Sequence, residues 1–429
     1  MALRALIVTY YWPPAGGPGV QRWLNFVKYF SEFGIEPVVY IPENPHYPLI
    51  DKSFLADVPK EVEIIEGPIK EPYRLAGFLS KKNTKKISSG ILPSKKPSLI
   101  EKIMLYIRGN FFIPDARIAW VKPSVRLLQE YLQANSIDII ITTGPPHSLH
   151  LIGMQLKAIT SLPWVADFRD PWTTIHYHKS LRLSKVSEEK HKKLEREVLQ
   201  TADHIVVTSP STLSEFQQKT NKPITVITNG YDVKKEIQSV VDESFSIAHI
   251  GSLLSERNPQ ILWDVLSELS IEVAGFFDDL TITLAGAVSD DVVQSIVAAG
   301  LQENLDYVGY VSHDRALQMQ HDAQVLLLVE IDRPETQAII PGKLFEYLRA
   351  KRPIVALGPK GSDIIKIITE TKSGAYFNYS EKDALKKYLR TQYNAFTGGS
   401  LEIASEGIEK YTRKALTEVM ATLLKQVGK

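Results

Sequence analysis

The stretch from Pro334 to Gly358, PETQAIIPGKLFEYLRAKRPIVALG, constrains the fold more than any other part of the chain. Pro341-Gly342 reads as a turn that opens a helix. Lys351-Arg352-Pro353 closes that helix, because proline cannot continue it, and the apolar run Ile354-Val355-Ala356-Leu357 follows as a buried strand. Turn, helix and buried strand in that order are half of a doubly wound α/β unit, in which ligands sit where strands end and helices begin. Lys343 and Glu346 are three residues apart, so both can project from one side of the first helical turns. The free N–H groups there attract phosphate, Lys343 adds a positive charge, and Glu346 can accept hydrogen bonds from sugar hydroxyls. That constellation suits a nucleotide-sugar. The same spacing also fits a surface helix whose Lys and Glu are merely solvated.

The words PGKLFEYLRAKRPIV resemble the donor-site helix of retaining GT-B glycosyltransferases of family four, which often reads P-x-K-x-x-E-Y-x-A-x-G-x-P-V. The resemblance implies that Glu346 binds the ribose of a donor nucleotide. The family's commoner E-x7-E form carries another Glu eight residues earlier. Ala338 stands at that place here, and Glu335 is out of register, which puts contacts to the donor sugar in question.

A chain of 429 residues exceeds one usual core, and two domains are the natural division. Fifty basic against forty-nine acidic residues argue against a general nucleic-acid binder. The absence of Cys excludes disulfides and thiolate chemistry and fits a reducing compartment. The opening MALRALIVTYYWPPAGG has too short an apolar run for a secretory signal, and no stretch is apolar for long enough to span a bilayer. A cytoplasmic location is expected.

In the first half, Ala5 to Tyr10 reads as a strand, Ala15-Gly16-Gly17-Pro18-Gly19 as a glycine-rich loop and Val20 to Phe33 as a helix. Glycines there let backbone approach a ligand, although the pattern is not the dinucleotide fingerprint and also fits a tight turn. Ile137 to Thr142 and Trp164 to Ala166 read as buried strands, followed by the loops Thr143-Gly144-Pro145-Pro146-His147-Ser148 and Asp167-Phe168-Arg169-Asp170-Pro171-Trp172. In a parallel sheet all three loops open on one edge. His147, Asp167, Arg169 and Asp170 form the densest set of titratable candidates in this half, though such residues also serve simply to brace backbone. The loop YYWPPAGGPGVQRW resembles the first loop of family-four enzymes, which implies a contact from Gly16 and Gly17 to the donor and acceptor. TGPPHS with WVADFRDPW resembles a subgroup carrying P-P-H and D-x-R-D-x-W. That implies an acceptor site or catalytic centre with His147, Arg169 and Asp170 as its candidates.

Between Leu79 and Asn110, Lys81, Lys82, Lys85, Lys86, Lys95, Lys96, Lys102 and Arg108 oppose only Glu101, and apolar residues recur at helical spacing from Leu99 to Phe111. Such a segment, 81–112, can dock on an anionic membrane surface, or be a solvated insertion whose helix packs on the core.

The second half repeats the α/β rhythm. Phe245 to Ile250 is a strand, and the loop after it ends in Arg257, which can cap a pyrophosphate by a bidentate contact or simply face solvent. HIGSLLSERNP resembles the first loop of the family's donor domain. The usual G-R pair is Gly251-Ser252 here, which shifts the phosphate role onto Arg257 and Lys343. Leu280 to Ala285, Leu305 to Val308 and Val325 to Val329 are further strands. The end of the chain, Ile408 to Gln426, reads as a helix whose Tyr411 and Arg413 resemble the family's tail that crosses back onto the first domain.

No phosphate-loop signature, H-E-x-x-H or G-x-S-x-G occurs, and no Asp-x-Asp metal site stands at a strand end. Residues and resemblance together give an α/β chain of GT-B type: two Rossmann-like, doubly wound domains facing across a cleft. Residues 1–235 are expected to form the acceptor domain and 236–407 the donor domain, with 408–429 packing back on the first. The expected activity is that of a metal-independent, retaining, hexosyl-type glycosyltransferase of cell-surface polysaccharide synthesis. It would move a sugar from a nucleotide-diphosphate donor to a glycan or lipid-linked acceptor. The nucleotide-sugar is then a substrate and no cofactor is required; the location is the cytoplasm, including the inner membrane face. The alternatives are a nucleotide-sugar epimerase of the same fold and a non-catalytic nucleotide-sugar-binding scaffold subunit.

Overall fold

The computed structural model describes residues 2–71, 99–233, 237–401 and 405–428. The chain divides into two compact units, Met1–Asn229 with Arg413–Lys429, and Gly230–Thr412.

The first unit is built on a seven-stranded sheet, every strand parallel to its neighbours. Its strands are β1 (Leu3–Val8), β2 (Ile35–Glu43), β3 (Glu63–Pro68), β4 (Ile139–Gly144), β5 (Trp164–Phe168), β6 (His204–Val207) and β7 (Ile224–Val226). They lie in the order β3-β2-β1-β4-β5-β6-β7. The central strands are buried along most of their length because helices cover both faces, so the alternation of a half-exposed strand is missing. One face packs Leu6, Val8, Ile140 and Ala166 against Trp120, Leu149 and Ile152; the other packs Ile7, Ile139 and Ile141 against Val20, Trp23 and Leu24.

Helix Arg413–Val427 belongs to this second face, where Met420 and Leu424 are fully buried. Arg413 ties its start to helix Pro18–Phe30, donating from Nη1 to the Gln21 carbonyl at 3.0 Å and from Nη2 to Gln21 Oε1 at 2.7 Å. The helix begins at Arg413, not at Ile408 as periodicity suggests. Ile408–Tyr411 is a separate 3₁₀ turn bounded by left-handed Gly407 and extended Thr412, so the chain breaks direction before the helix starts.

The second unit carries a six-stranded parallel sheet of β8 (Phe245–Ile250), β9 (Leu280–Ala285), β10 (Leu305–Gly309), β11 (Val325–Val329), β12 (Ile354–Gly358) and β13 (Gly374–Asn378). The order is β10-β9-β8-β11-β12-β13. Helix Gly342–Ala350 covers one face with Leu344, Phe345 and Leu348. Helix Gln260–Glu272 covers the other with Leu262, Val265 and Leu266.

Both sheets reverse their strand order once, between β1 and β4 in the first and between β8 and β11 in the second. At such a switch point the two flanking loops leave in opposite directions and open a crevice at the carboxyl ends of the strands. Every loop singled out from the sequence is at a carboxyl end. Helix Leu99–Phe111 is present where periodicity places it; Lys81, Lys82, Lys85, Lys86, Lys95 and Lys96 lie outside the described residues. Among the described residues no helix is long and apolar enough to cross a membrane.

Candidate active site

The switch point of the second unit gathers the charged candidates. β8 ends at Ile250, and Gly251 turns the chain with φ 132°. A Cβ at Gly251 would stand 2.6 Å from Lys343 Nζ, so glycine is what lets that side chain pass. The loop then makes a 3₁₀ turn, Ser255–Arg257, which brings Arg257 towards the end of β11. Lys343 and Glu346 stand in the opening turns of helix Gly342–Ala350, which starts after Pro341.

Glu330 follows β11 and is buried. Its Oε2 lies 3.4 Å from Arg257 Nη2, and Arg257 Nε has no hydrogen-bond partner. Burial pushes the Glu330 carboxyl up, against the pull of Arg257 and Lys343. Burial, with Arg257 nearby, pushes the Lys343 ammonium down to about 8. Two cations therefore share this corner, Lys343 desolvated and Arg257 partly exposed, with the buried Glu330 and, near Lys343, Glu346 as counter-charges. Glu346 accepts from Gln320 Nε2 at 3.0 Å. Ala338 sits in the turn after the 3₁₀ segment Pro334–Thr336.

Neither Glu330 nor His249, whose Nε2 is 3.2 Å from Lys343 Nζ, stood out in the sequence. The available signal was a titratable residue in or just after a largely apolar strand, VLLLVE for Glu330 and FSIAHI for His249.

The switch point of the first unit gathers Gly16, Gly17, His147, Arg169 and Asp170 at the carboxyl ends of β1, β4 and β5. Gly17 adopts φ 91°, and a Cβ at Gly16 would meet Leu49 at 2.9 Å. A Cβ at Gly19 would meet Arg169 Nη1 at 2.6 Å, so this glycine lets the start of helix Pro18–Phe30 approach the β5 loop. The Arg169 guanidinium donates to the Pro145 carbonyl and, from Nε, to the Gly144 carbonyl at 3.3 Å, and it lies 5.6 Å over the Tyr11 ring. It ties the loop after β5 to the loop after β4. Asp170 is half-buried beside it.

His147 stacks on Trp172 with ring centroids 4.8 Å apart and planes 2° from parallel, and neither ring nitrogen has a hydrogen-bond partner. Burial, then His150 and Arg169, hold it well below the usual imidazole range, so it is neutral.

Asp167 has a different part from its neighbours. Fully buried, it accepts from Arg22 Nη2 at 2.9 Å and Nε at 3.2 Å, from Trp23 Nε1 at 2.7 Å and from Thr143 Oγ1 at 2.8 Å. Burial alone would raise its pKa, but Arg22 and these hydrogen bonds bring it below the usual carboxylate range. Asp167 thus clamps helix Pro18–Phe30 to β4 and β5 and holds the glycine loop in place.

Residues 91–235 match Glycosyltransferase Family 4. Sucrose-phosphate synthase from Thermosynechococcus elongatus superposes with a TM-score of 0.63 at 13% identity, over 99% of this chain and 98% of that one. The fold is GT-B. The GT-B chain is also similar to Anabaena HepE, solved in complex with UDP-glucose, with a TM-score of 0.61 at 15% identity over 99% of this chain and 100% of that chain. It is similar to the lipopolysaccharide outer core galactosyltransferase WaaB, with a TM-score of 0.58 at 14% identity over 98% and 99%. No curated protein matches it by sequence.

Proposed function

We propose that the protein is a glycosyltransferase that takes a hexosyl group from a nucleotide-diphosphate sugar and delivers it to a glycan or lipid-linked acceptor, with retention of configuration. The observation that carries this reading is the placement of a desolvated Lys343 beside a partly exposed Arg257 at the β8/β11 switch point, where burial already pushes the Lys343 ammonium down to about 8. Each diphosphate oxygen brought there relieves two crowded cations. The same charges then stabilise the diphosphate as it leaves, the part a metal ion takes in other transferases. Glu346 holds the ribose, and Gly16 and Gly17 allow backbone to approach the sugar-phosphate. His147, neutral, buried and with both ring nitrogens unpaired, and Asp170 orient the reacting hydroxyl or the sugar, while Arg169 ties their two loops together. The relatives solved with UDP-glucose or named for lipopolysaccharide synthesis support the donor and acceptor classes.

The reading includes a peripheral place on the inner face of a membrane. Leu99, Ile103, Tyr106, Ile107 and Phe111 are exposed at helical spacing on Leu99–Phe111, with Lys102 and Arg108 beside them. Flotation with anionic liposomes checks it; replacing Ile103 and Ile107 by Ser abolishes flotation if the stripe is the contact, and an unchanged result removes this part.

The donor site is tested by thermal shift against UDP, GDP, ADP, CMP and dTDP, repeated with Glu346→Ala. One diphosphate at ~100 times its dissociation constant adds about 2.7 kcal/mol of stability, and the variant loses the shift. No shift from any of them overturns the assignment. Release of that diphosphate from its sugar conjugate only when an acceptor glycan is present separates transfer from epimerisation, which needs no acceptor, and from a scaffold, which releases nothing.

A further inference from the structure

We propose that His249 is a positioning residue for the donor site, whose neutral ring accepts a hydrogen bond from Lys343 and so fixes the ammonium at the β8/β11 switch point without cancelling its charge. The proposal rests on the donor-site reading above and adds to it a residue that binds no part of the substrate.

His249 is fully buried on β8, two residues before Gly251. Its Nδ1 lies 2.9 Å from the Leu327 carbonyl on the paired strand β11. A carbonyl only accepts, so Nδ1 carries the proton. Burial, and the facing Lys343 and Arg257 cations, exclude a second proton on the ring, which leaves Nε2 as a bare lone pair. Lys343 Nζ stands 3.2 Å from that lone pair, and an ammonium only donates. The Ser252 carbonyl, 3.4 Å from Nε2, is then an acceptor facing an acceptor and contributes no bond.

The choice of partner has a consequence for anion binding. Arg257 is paired with a carboxylate, Glu330, which offsets part of its charge. Lys343 is paired with a neutral imidazole, which fixes the position of the ammonium without adding a counter-charge and leaves two of its three N–H groups for a ligand. A carboxylate at position 249 would hold the lysine as firmly and compete with the phosphate. A phenyl ring would fill the same space and hold nothing.

The charged groups that face Lys343 are Arg257 from the β8 loop, Glu330 from the end of β11 and Glu346 from its own helix. His249→Phe changes none of these. It removes the acceptor alone, so the ammonium loses solvation and gives up its proton at lower pH.

The test uses the full chain, His249→Phe and His249→Gln, with inorganic pyrophosphate as the probe in titration calorimetry from pH 6 to 9. His249→Phe is expected to bind pyrophosphate roughly tenfold more weakly, the order of one lost charge-assisted hydrogen bond, and to lose affinity at lower pH than the parent. His249→Gln, whose side-chain carbonyl restores an acceptor, recovers both. Equal affinity and pH profile in parent and His249→Phe overturns the proposal, as does a Gln variant as weak as the Phe variant, which would make the ring a packing element. Nitrogen-15 spectra of the imidazole and of the Lys343 ammonium decide the pairing without any ligand. A proton on His249 Nε2, or a Lys343 signal unmoved by His249→Phe, overturns it, whereas failure of every form to bind pyrophosphate defeats the donor-site reading and leaves the spectra to judge His249.

Discussion

The two switch points are built from the same elements and carry opposite electrostatics. In the first unit the buried carboxylate of Asp167 is satisfied by Arg22, Trp23 and Thr143, every partner within 3.2 Å. In the second, Arg257 has Glu330 at 3.4 Å, Lys343 has an imidazole at 3.2 Å, and Arg257 Nε has no partner. A buried charge with all its bonds made has nothing to gain from a ligand, while cations short of counter-charge gain a great deal. The first arrangement stabilises the fold and the second is available for binding.

The largest test of that contrast is Asp167→Ala. It strands the Arg22 guanidinium, whose side chain is 1% exposed, and leaves Trp23 Nε1 without its acceptor. Breaking a buried pair on one side costs about 3–5 kcal/mol, read as a lower midpoint in chemical denaturation. Pyrophosphate affinity measured below that midpoint is expected to be unchanged. A neutral effect on stability would mean that the carboxylate is not the clamp its bonds describe.

Lys343→Ala and Arg257→Ala should act on binding. Each removes a charge-assisted contact worth about 1.5–3 kcal/mol, so pyrophosphate binding falls roughly tenfold to a hundredfold; the denaturation midpoint stays or rises in Lys343→Ala, whereas Arg257→Ala also takes the partner from the buried Glu330 carboxylate and lowers it. In the unaltered chain that affinity declines as pH climbs through about 8, because the free Lys343 ammonium gives up its proton there. Affinity that is flat between pH 6 and 9 would remove Lys343 from the site.

Much of this was readable in the sequence, for a physical reason. Buried parallel strands are continuous apolar runs, so β8, β9 and β11 have the bounds that composition gives them, and the loops after them are found at the carboxyl edge. Gly16, Gly17, His147, Arg169, Asp170, Arg257, Lys343 and Glu346 could be named because motif words mark loop and helix positions. Glu330 and His249 could not, since each is one polar residue at or within a strand, and its meaning depends on which strand lies beside it. The strand order β8-β11 is set by non-local pairing that a linear reading does not contain. The division of labour between Asp167 and Asp170, three residues apart, was hidden for the same reason: only the arrival of Arg22 and Trp23 from another element separates them.

The smallest expected effect is the loss of stability in acid from buried imidazoles, to which His249 of the second unit, also held below its ordinary range by burial, contributes alongside those of the first. His150 and His178, both in the first unit, are pushed down by burial to about 3 and about 4 from an ordinary value of 6.5. The sign follows from which state binds the proton. Above pH 6.5 both folded and unfolded imidazoles are neutral and stability is complete. Between 6.5 and the folded values only the unfolded chain protonates, so stability falls as pH falls, by about 1 kcal/mol for each histidine near pH 5.5. Lys343 is fully protonated throughout that range, so pyrophosphate affinity in the second unit does not decline with it. Tryptophan fluorescence reports mainly the first unit, because Trp12, Trp23, Trp120, Trp164 and Trp172 lie in it and Trp263 alone of the six in the second. A denaturation midpoint that drops with acid in this signal, and drops less in His150→Asn with His178→Asn, assigns the loss to the buried imidazoles. A midpoint unmoved between pH 7 and 5.5 would show that these rings accept a proton in the folded state at the same pH as in the unfolded one.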